Sequence, residues 1–365
     1  MVERWLFVVL AAALNAWSGS AAASRLSDVA AQLQPGQWVV LNNASDGSGY
    51  NTDLLISCTG SDCADNILNY ASEGHWNPLT RELHYIGQGH GGRLLKHISY
   101  AEATNRWAIE AKPYWDCSPS PSCYSLVHNF DQTTIDPRTG DLFARKFNST
   151  EVYRWARATK TWTRLPVAPN PQVAIALEYF PDVNGLLLIG GGEVHLLRDG
   201  ASSWERLATN LPMGPYNNVA NYNGTHRIVL FGGGNGSQNV YKIDASLRIT
   251  AVASAPAPIG VMSGLIVWDP SSGRHLLFSS TGGFFEYDVA GNQWRALNAA
   301  AVPAFASDSN RILYRALIPV STYGLILMLT FDWGNSRVYA YRHTASQSPP
   351  IDSTPPAPPR GLTVQ

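Results

Sequence analysis

The sequence has little charge, and that charge is balanced. Only 15% of the 365 residues are charged, with 26 basic residues against 27 acidic ones. Proteins that bind nucleic acid ordinarily have a basic excess that neutralises phosphates, so we expect no nucleic-acid partner. The balance also argues against a chain dominated by an acidic or basic disordered tail.

Long apolar runs are also missing. The run from Trp5 to Leu14 is about half the length of roughly 20 residues that a membrane-spanning helix needs. No later segment has 18 uninterrupted apolar residues, so we predict no membrane span. Small residues at 21–24 follow the first run, as at a signal-peptidase site. Residues 1–23 are therefore predicted to be a secretory signal that leads to a secreted, extracellular or periplasmic protein; the alternative is a buried N-terminal helix.

Cysteine is scarce, since the chain has only Cys58, Cys63, Cys117 and Cys123. An even number in an exported chain suggests disulfides, and of three pairings the local one, Cys58–Cys63 with Cys117–Cys123, is the simplest. A zinc site would need two-residue gaps or histidines at fixed offsets, and neither is present. The sequence also lacks a nucleophile elbow, a phosphate-cradling loop, an HExxH motif and an EF-hand loop. We predict neither a metal nor a cofactor.

Turn-forming and aromatic residues are plentiful, with 31 Gly, 23 Pro, 12 Trp and 16 Tyr. This composition favours an all-β fold. An aromatic residue followed by two residues and an aliphatic one recurs along the chain. Steps of 55, 42, 45 and 45 residues separate Trp107, Trp162, Trp204, Ile249 and Trp294. Upstream of these positions lie apolar runs that end in glycines, such as 186–192 and 228–234.

A repeat of about 45 residues with four short strands is typical of a propeller blade. The glycine-ended strand and the aromatic near the last strand resemble kelch repeats, over roughly residues 36–343. The resemblance is to the kelch and galactose-oxidase-like superfamily and implies a β-propeller. The number of strand sets along the chain predicts six blades. The last set of strands, about 312–343, lacks its tryptophan strand, while residues 37–41 are a tryptophan strand without a blade. We therefore predict that the N-terminal strand closes the last blade, which removes open sheet edges; the alternative is a stray edge strand.

The C-terminal residues 344–365 are predicted to be a proline-rich linker, because prolines neither pair in a sheet nor continue a helix. Its last residues resemble the opening of a fibronectin type III module; a frayed tail is the alternative.

Function in a propeller gathers at the channel mouth, where the long loops converge. There, histidine, tyrosine and arginine are the parts needed for β-elimination from a uronic acid: arginine holds the carboxylate while histidine or tyrosine moves protons. Some polysaccharide lyases are propellers of this kind. The candidate catalytic residues are His90, His128, Arg145, Tyr314 and Arg315. The candidate substrate-binding residues are Arg93, Trp115, Asn129, Tyr216, Asn217 and Trp333.

Three functions remain open from the sequence. The first is engagement of an extracellular glycan or polysaccharide at the mouth, with exposed aromatics such as Trp115 and Trp333 stacking on sugar rings. The second is a polysaccharide lyase acting on a uronic-acid-containing polymer. The third is a protein-binding scaffold. For each single histidine or arginine, an ordinary structural role is the simpler interpretation.

Overall fold

The structure is a computed structural model that describes residues 25–41, 67–89, 95–117, 125–126, 128–170, 172–234, 236–303, 314–332 and 335–343. These residues begin with helix α1 (Leu26–Gln32) and strand β1 (Trp38–Leu41). The later strands form six antiparallel sheets of four, and β1 completes the sixth. The predicted all-β, six-bladed propeller is confirmed. In the described part of the chain, no helix is long and apolar enough to cross a membrane.

Each of the first five blades uses four consecutive strands, from the channel outward. Blade 1 contains β2 (His75–Asn77), β3 (Glu82–Gly87), β4 (Lys96–Ala101) and β5 (Arg106–Ile109). Blade 2 contains β6 (Thr133–Asp136), β7 (Asp141–Arg145), β8 (Val152–Ala156) and β9 (Thr161–Arg164). Blade 3 contains β10 (Ala176–Phe180), β11 (Gly185–Gly190), β12 (Glu193–Arg198) and β13 (Glu205–Ala208).

Blade 4 contains β14 (Asn218–Asn223), β15 (Ile228–Gly233), β16 (Val240–Asp244) and β17 (Ile249–Ala251). Blade 5 contains β18 (Gly264–Trp268), β19 (His275–Ser279), β20 (Phe284–Asp288) and β21 (Gln293–Ala296). Blade 6 contains β22 (Arg315–Val320), β23 (Leu325–Asp332) and β24 (Asn335–Tyr341), followed by β1 as its outer strand. Short 3₁₀ turns lie at Pro181–Val183 and Ala299–Ala301.

Glycines end the second strands where the chain turns into the third. Gly191 and Gly192 follow β11 at φ values of 60° and 83°, and Gly233 and Gly234 end β15 at 89° and 98°. Residues with a side chain rarely adopt these left-handed values, so glycine favours the reversal at the same point of blades 3 and 4. This local requirement explains why the repeat is visible in the sequence.

Strand β1 closes the ring as predicted. It pairs antiparallel with β24, with Trp38 opposite Tyr341 and Leu41 opposite Val338. The ring of Trp38 stacks on that of Tyr341 at 4.4 Å between centroids. A backbone hydrogen bond from the Gly36 N–H to the Arg342 carbonyl (2.7 Å) continues the pairing of the two strands beyond β1. The first and last described segments therefore hold one blade between them.

The core lies between the blades. The described residues form six buried apolar clusters, and each one joins two adjacent blades. Strands such as β11 are consequently buried on both faces, and they read as continuous apolar runs rather than as alternating patterns. Opening the ring anywhere would expose one whole layer of the core.

Helix α1 was not predicted. Leu26, Val29, Ala30 and Leu33 are buried in the cluster between blades 6 and 1. Their spacing of three, four and seven residues is that of one helix face, and it was visible in the sequence. The predicted secretory signal and the proline-rich linker lie outside the described residues.

Candidate functional site

The connections between blades lie on one face of the propeller. Because each blade has four antiparallel strands, its last strand ends on the side where its first begins. We call this side the loop face; it comprises the described parts of the six connections, at 42–74, 110–132, 165–175, 209–217, 252–263 and 297–314. The opposite side, which bears the turns between first and second strands, is the turn face. The predicted residues His90, Arg93 and Trp333, with Cys58, Cys63 and Cys123, lie outside the described residues.

His128 lies on the loop face, just before β6, in a nest of aromatic rings. Its imidazole centroid is 4.5 Å from that of Tyr70, 5.1 Å from Phe130 and 5.7 Å from Phe147. Its backbone has a φ of 52°, and its N–H donates to the Gly89 carbonyl at 3.2 Å. The half-buried ring therefore packs against the connection that leads into blade 2.

Arg145, at the end of β7, is fully buried. Its guanidinium donates to Gln132 Oε1 (2.5 Å) and to the backbone carbonyls of Asn170 (3.3 Å) and Gln172 (2.6 Å). Burial lowers the pKa of Arg145 to about 10, so the group remains a cation at neutral pH. Its hydrogen bonds hold the connection between blades 2 and 3, which assigns it a structural role in place of the predicted catalytic one.

Arg315, the first residue of β22, is also buried, with 1% exposure. One guanidinium nitrogen donates to the carbonyls of Tyr314 (3.0 Å) and Phe331 (3.1 Å), within blade 6. The Tyr314 side chain is half-buried and its ring lies 6.5 Å from that of Phe331. The two arginines that were predicted to hold a substrate carboxylate thus donate to protein groups, and they do so in different blades.

Two of the predicted binding residues are buried rather than exposed. Trp115 is 8% exposed, stacks on Tyr153 at 4.8 Å and meets Trp162 edge-on at 5.5 Å. Asn129 is 1% exposed. The expectation that Trp115 presents its ring to a sugar is wrong, because the ring fills the core between blades 1 and 2.

Tyr216 is the predicted binding residue that is exposed, at 46%. It lines a shallow loop-face pocket of about 270 Å³ with Asn148, Gln172, Val173 and Pro215. Asn217 beside it is half-buried and adopts a φ of 59°, which fits a turn residue. The pocket thus combines one aromatic ring with two amide side chains.

A second cavity, which the sequence analysis missed, lies at the other end of the channel. It measures about 240 Å³ and reaches the turns between first and second strands at Pro137, Gly224 and Ser321. We call it the turn-face cavity. Its lining side chains include four aromatics from four different blades, Trp76, Tyr179, Tyr222 and Trp268. Glu73 and Glu178 lie at its inner end, away from the turns.

Three buried carboxyl groups interact in the channel. Asp131 accepts hydrogen bonds from the Ser72 hydroxyl and from the Ala220 N–H, both at 2.6 Å. Glu178 accepts from the Tyr222 N–H (2.8 Å) and the Thr134 hydroxyl (3.1 Å). Both side chains therefore tie inner strands of different blades together.

Glu73 is held less completely. One of its oxygens accepts from the Asn221 amide at 3.4 Å, and Oε1 has no hydrogen-bond partner among the described residues. Burial, and then the charges of Asp131 and Glu178, raise the pKa of Glu73 well above its usual range. Burial likewise raises the pKa values of Asp131 and Glu178. The neighbouring His75 is neutral, because burial lowers its pKa to about 3.

The described residues contain no group of three or more His, Cys, Asp or Glu side chains that could hold a metal ion. The recurring signal for the turn-face cavity was an aromatic at or near the end of the first strand in several repeats, as in Tyr222 and Trp268. These aromatics lie on strands, whereas most of the predicted site residues lie in or next to loops.

Comparison with known proteins adds little. No family model matches the chain, and no curated protein matches it. Among solved structures, the chain is similar to one in the crystal structure of a nidogen–laminin complex, with 7% identity and a TM-score of 0.46. The match covers 63% of this chain and 79% of that one. The kelch likeness consequently remains a resemblance of the repeat pattern.

Proposed function

We propose that this chain is a binding scaffold that engages a partner protein through its loop face. The observation behind the proposal is the placement of exposed apolar side chains. Of seven large apolar side chains that are exposed in the described part of the chain, five lie in or next to connections between blades: Ile109, Tyr114, Val167, Tyr216 and Met262. Exposed apolar groups gathered on one side of a protein are typical of interaction surfaces.

A lyase is less well supported than a binding protein. Arg145 and Arg315 would have to reach a substrate carboxylate, yet both are buried and donate to carbonyls or an amide of the protein itself. Positioned groups must lie within hydrogen-bond reach of the substrate atoms on which they act. Two predicted acid–base residues remain in the described chain. His128 packs among three aromatic rings, and Tyr314 is half-buried beside Phe331 of blade 6.

A glycan is the second candidate partner, and the Tyr216 pocket favours it. A solvent-exposed tyrosine offers a flat apolar ring with a polar end, and the flanking Asn148 and Gln172 are exposed amides. Stacking on the ring, combined with hydrogen bonds from the amides, is the chemistry that recognises a sugar.

The protein-binding proposal is tested by charge insertion on the two faces. Val167→Asp and Met262→Asp each place a carboxylate on the loop face, and Leu79→Asp does the same on the turn face, where Leu79 is 56% exposed. We expect a partner recovered by cross-linking in the native host to be retained by wild type and Leu79→Asp, and lost by the loop-face variants. Equal retention by all three variants would contradict the proposal.

The glycan and lyase candidates are tested together. Glycan arrays probed with wild type and Tyr216→Ala would show a signal that depends on Tyr216 if the pocket binds sugar, with Leu79→Ala as the control. Incubation with uronate polymers, read by absorbance of the newly formed double bond, would reveal lyase activity. We expect no double bond to form, and its formation would replace the binding proposal with the lyase.

We further infer that the protein is exported, from the predicted signal at residues 1–23. Intact-mass measurement of the protein recovered outside the cytoplasm should show loss of about these residues. A full-length chain retained in the cytoplasm would contradict export.

A further inference from the structure

We propose that the turn-face cavity binds a protonated amine, with Glu73 as the group that accepts its N–H. The site lies at the opposite end of the channel from the loop face, so it stands independently of the function proposed above. The ligand class is an alkylammonium, either on a free small molecule or at the end of a lysine side chain.

The first observation is the unsatisfied oxygen of Glu73. Asp131 and Glu178 each use both oxygens in hydrogen bonds between blades. Glu73 is 7% exposed and lines the cavity, yet its Oε1 has no partner among the described residues. A buried acceptor without a donor lowers stability, and an ammonium group in the cavity would supply the missing donor.

The second observation is the nature of the walls. Trp76, Tyr179, Tyr222 and Trp268 line the same space as Glu73. Aromatic rings attract cations through their electron-rich faces, most strongly where the cation is shielded from water. They also pack against an alkyl chain. A carboxylate at the inner end with aromatic walls suits a short alkylammonium, and it disfavours anions.

The third observation concerns charge. None of the described lining residues is Lys or Arg. Arg138, next to the lining Pro137, lies 5.3 Å from the centre of the Tyr179 ring, and its charge is paired with Asp136 and Asp199. The titratable groups near Glu73 are Asp131 before β6, Glu178 on β10, His75 on β2, and the phenols of Tyr179 and Tyr222. His75 is neutral, so a bound ammonium would be the cation that balances this part of the channel.

The carboxyl pKa values of the channel give the proposal a pH signature. Burial and neighbouring charges raise the pKa of Glu73 in the empty site, so it holds a proton over a wider pH range than an ordinary glutamate. A bound ammonium favours the ionised form and lowers that pKa. Binding therefore releases protons and strengthens as pH rises from 5 to 8, while the amine stays protonated throughout.

The test uses n-butylammonium, which reproduces the end of a lysine side chain, and 1-butanol, which has nearly the same shape without the charge. Isothermal titration of the full chain at pH 8 should show the amine binding about tenfold or more tightly than the alcohol. Glu73→Gln, which keeps the shape but removes the charge, should lose this preference. Glu193→Gln, on blade 3 outside the cavity, is the matched control and should bind as wild type.

A second variant tests the proposal independently if Glu73→Gln folds poorly. Ser321 is exposed at the rim of the cavity, so Ser321→Trp should fold normally and block entry. An acetylated, glycine-flanked lysine peptide distinguishes a lysine side chain from a small-molecule amine as the ligand. If the peptide binds more tightly than butylammonium, the ligand is a protein side chain. If the peptide does not bind, the ligand is a small molecule. The proposal is overturned if amine and alcohol bind equally, if neither binds at millimolar concentration, or if Glu73→Gln and Ser321→Trp bind as wild type.

Discussion

The closure of the ring by β1 predicts a large, local sensitivity to the side chain of Leu41. Leu41 is 2% exposed and lies in the core cluster between blades 6 and 1, opposite Val338 of β24. Truncating a buried leucine to alanine costs about 2–5 kcal/mol of unfolding free energy, through lost burial and the cavity left behind. We expect Leu41→Ala to fall in that range, because the strands on both sides of the cavity are fixed by their ladders.

Val40 provides the matched control, since it lies on the same strand but is 40% exposed. Val40→Ala should change stability by no more than about 0.5 kcal/mol. Urea unfolding followed by tryptophan fluorescence measures both variants. A chain that begins at residue 43 should lose far more, because it lacks α1 and the whole β1 ladder. If Leu41→Ala matched Val40→Ala, or the shortened chain kept the full melting temperature, closure would not hold the ring together.

Three further predictions concern buried polar and aromatic groups. Arg145→Met should lower the free energy of unfolding by about 3–5 kcal/mol, because it leaves buried carbonyls without a donor; an unchanged urea midpoint would refute the structural role. The pKa of Glu73 is higher in the folded than in the unfolded chain. The stability that Glu73 contributes in its protonated form is therefore fully present below the pKa of the unfolded chain, and it is lost as pH rises through the pKa of the folded chain. Glu73→Gln should therefore be more stable than wild type at pH 8, and by less at pH 5; urea melts that show no difference between the two pH values would refute this prediction. Trp115→Ala should lose about 3–5 kcal/mol in thermal unfolding, whereas a variant that lost only ligand affinity would restore the exposed role.

The architecture was predictable because similar local requirements recur in most of the blades. Glycines such as Gly192 and Gly234 mark the turn after the second strand, and an aromatic marks the fourth, so the period survives even where single positions vary. Closure followed from counting strands: one blade lacked its outer strand and one strand lacked its blade. Helix α1 is a single element outside the repeat, so no periodic pattern indicates its apolar face.

The roles of the site residues were less predictable, because they depend on contacts that no periodic pattern encodes. Arg145 ends a second strand, as predicted. Whether its guanidinium faced solvent or protein was decided by Gln132 and by the carbonyls of Asn170 and Gln172, up to 27 residues away. Trp115 likewise lies in a connection, where exposure is the default expectation, but its ring reaches Tyr153 in the next blade.

The channel carboxyl groups become intelligible once the distribution of the core is known. Apolar layers between blades stabilise the ring. The side chains that line the channel are therefore not required for the apolar core and can be polar. Asp131 and Glu178 connect inner strands of different blades through hydrogen bonds. Glu73 makes no equivalent set of bonds, and its desolvation lowers the stability of the charged form. Glu73 differs from the two carboxyl groups beside it in having an oxygen without a partner among the described residues, and this is why we propose Glu73 as the binding position.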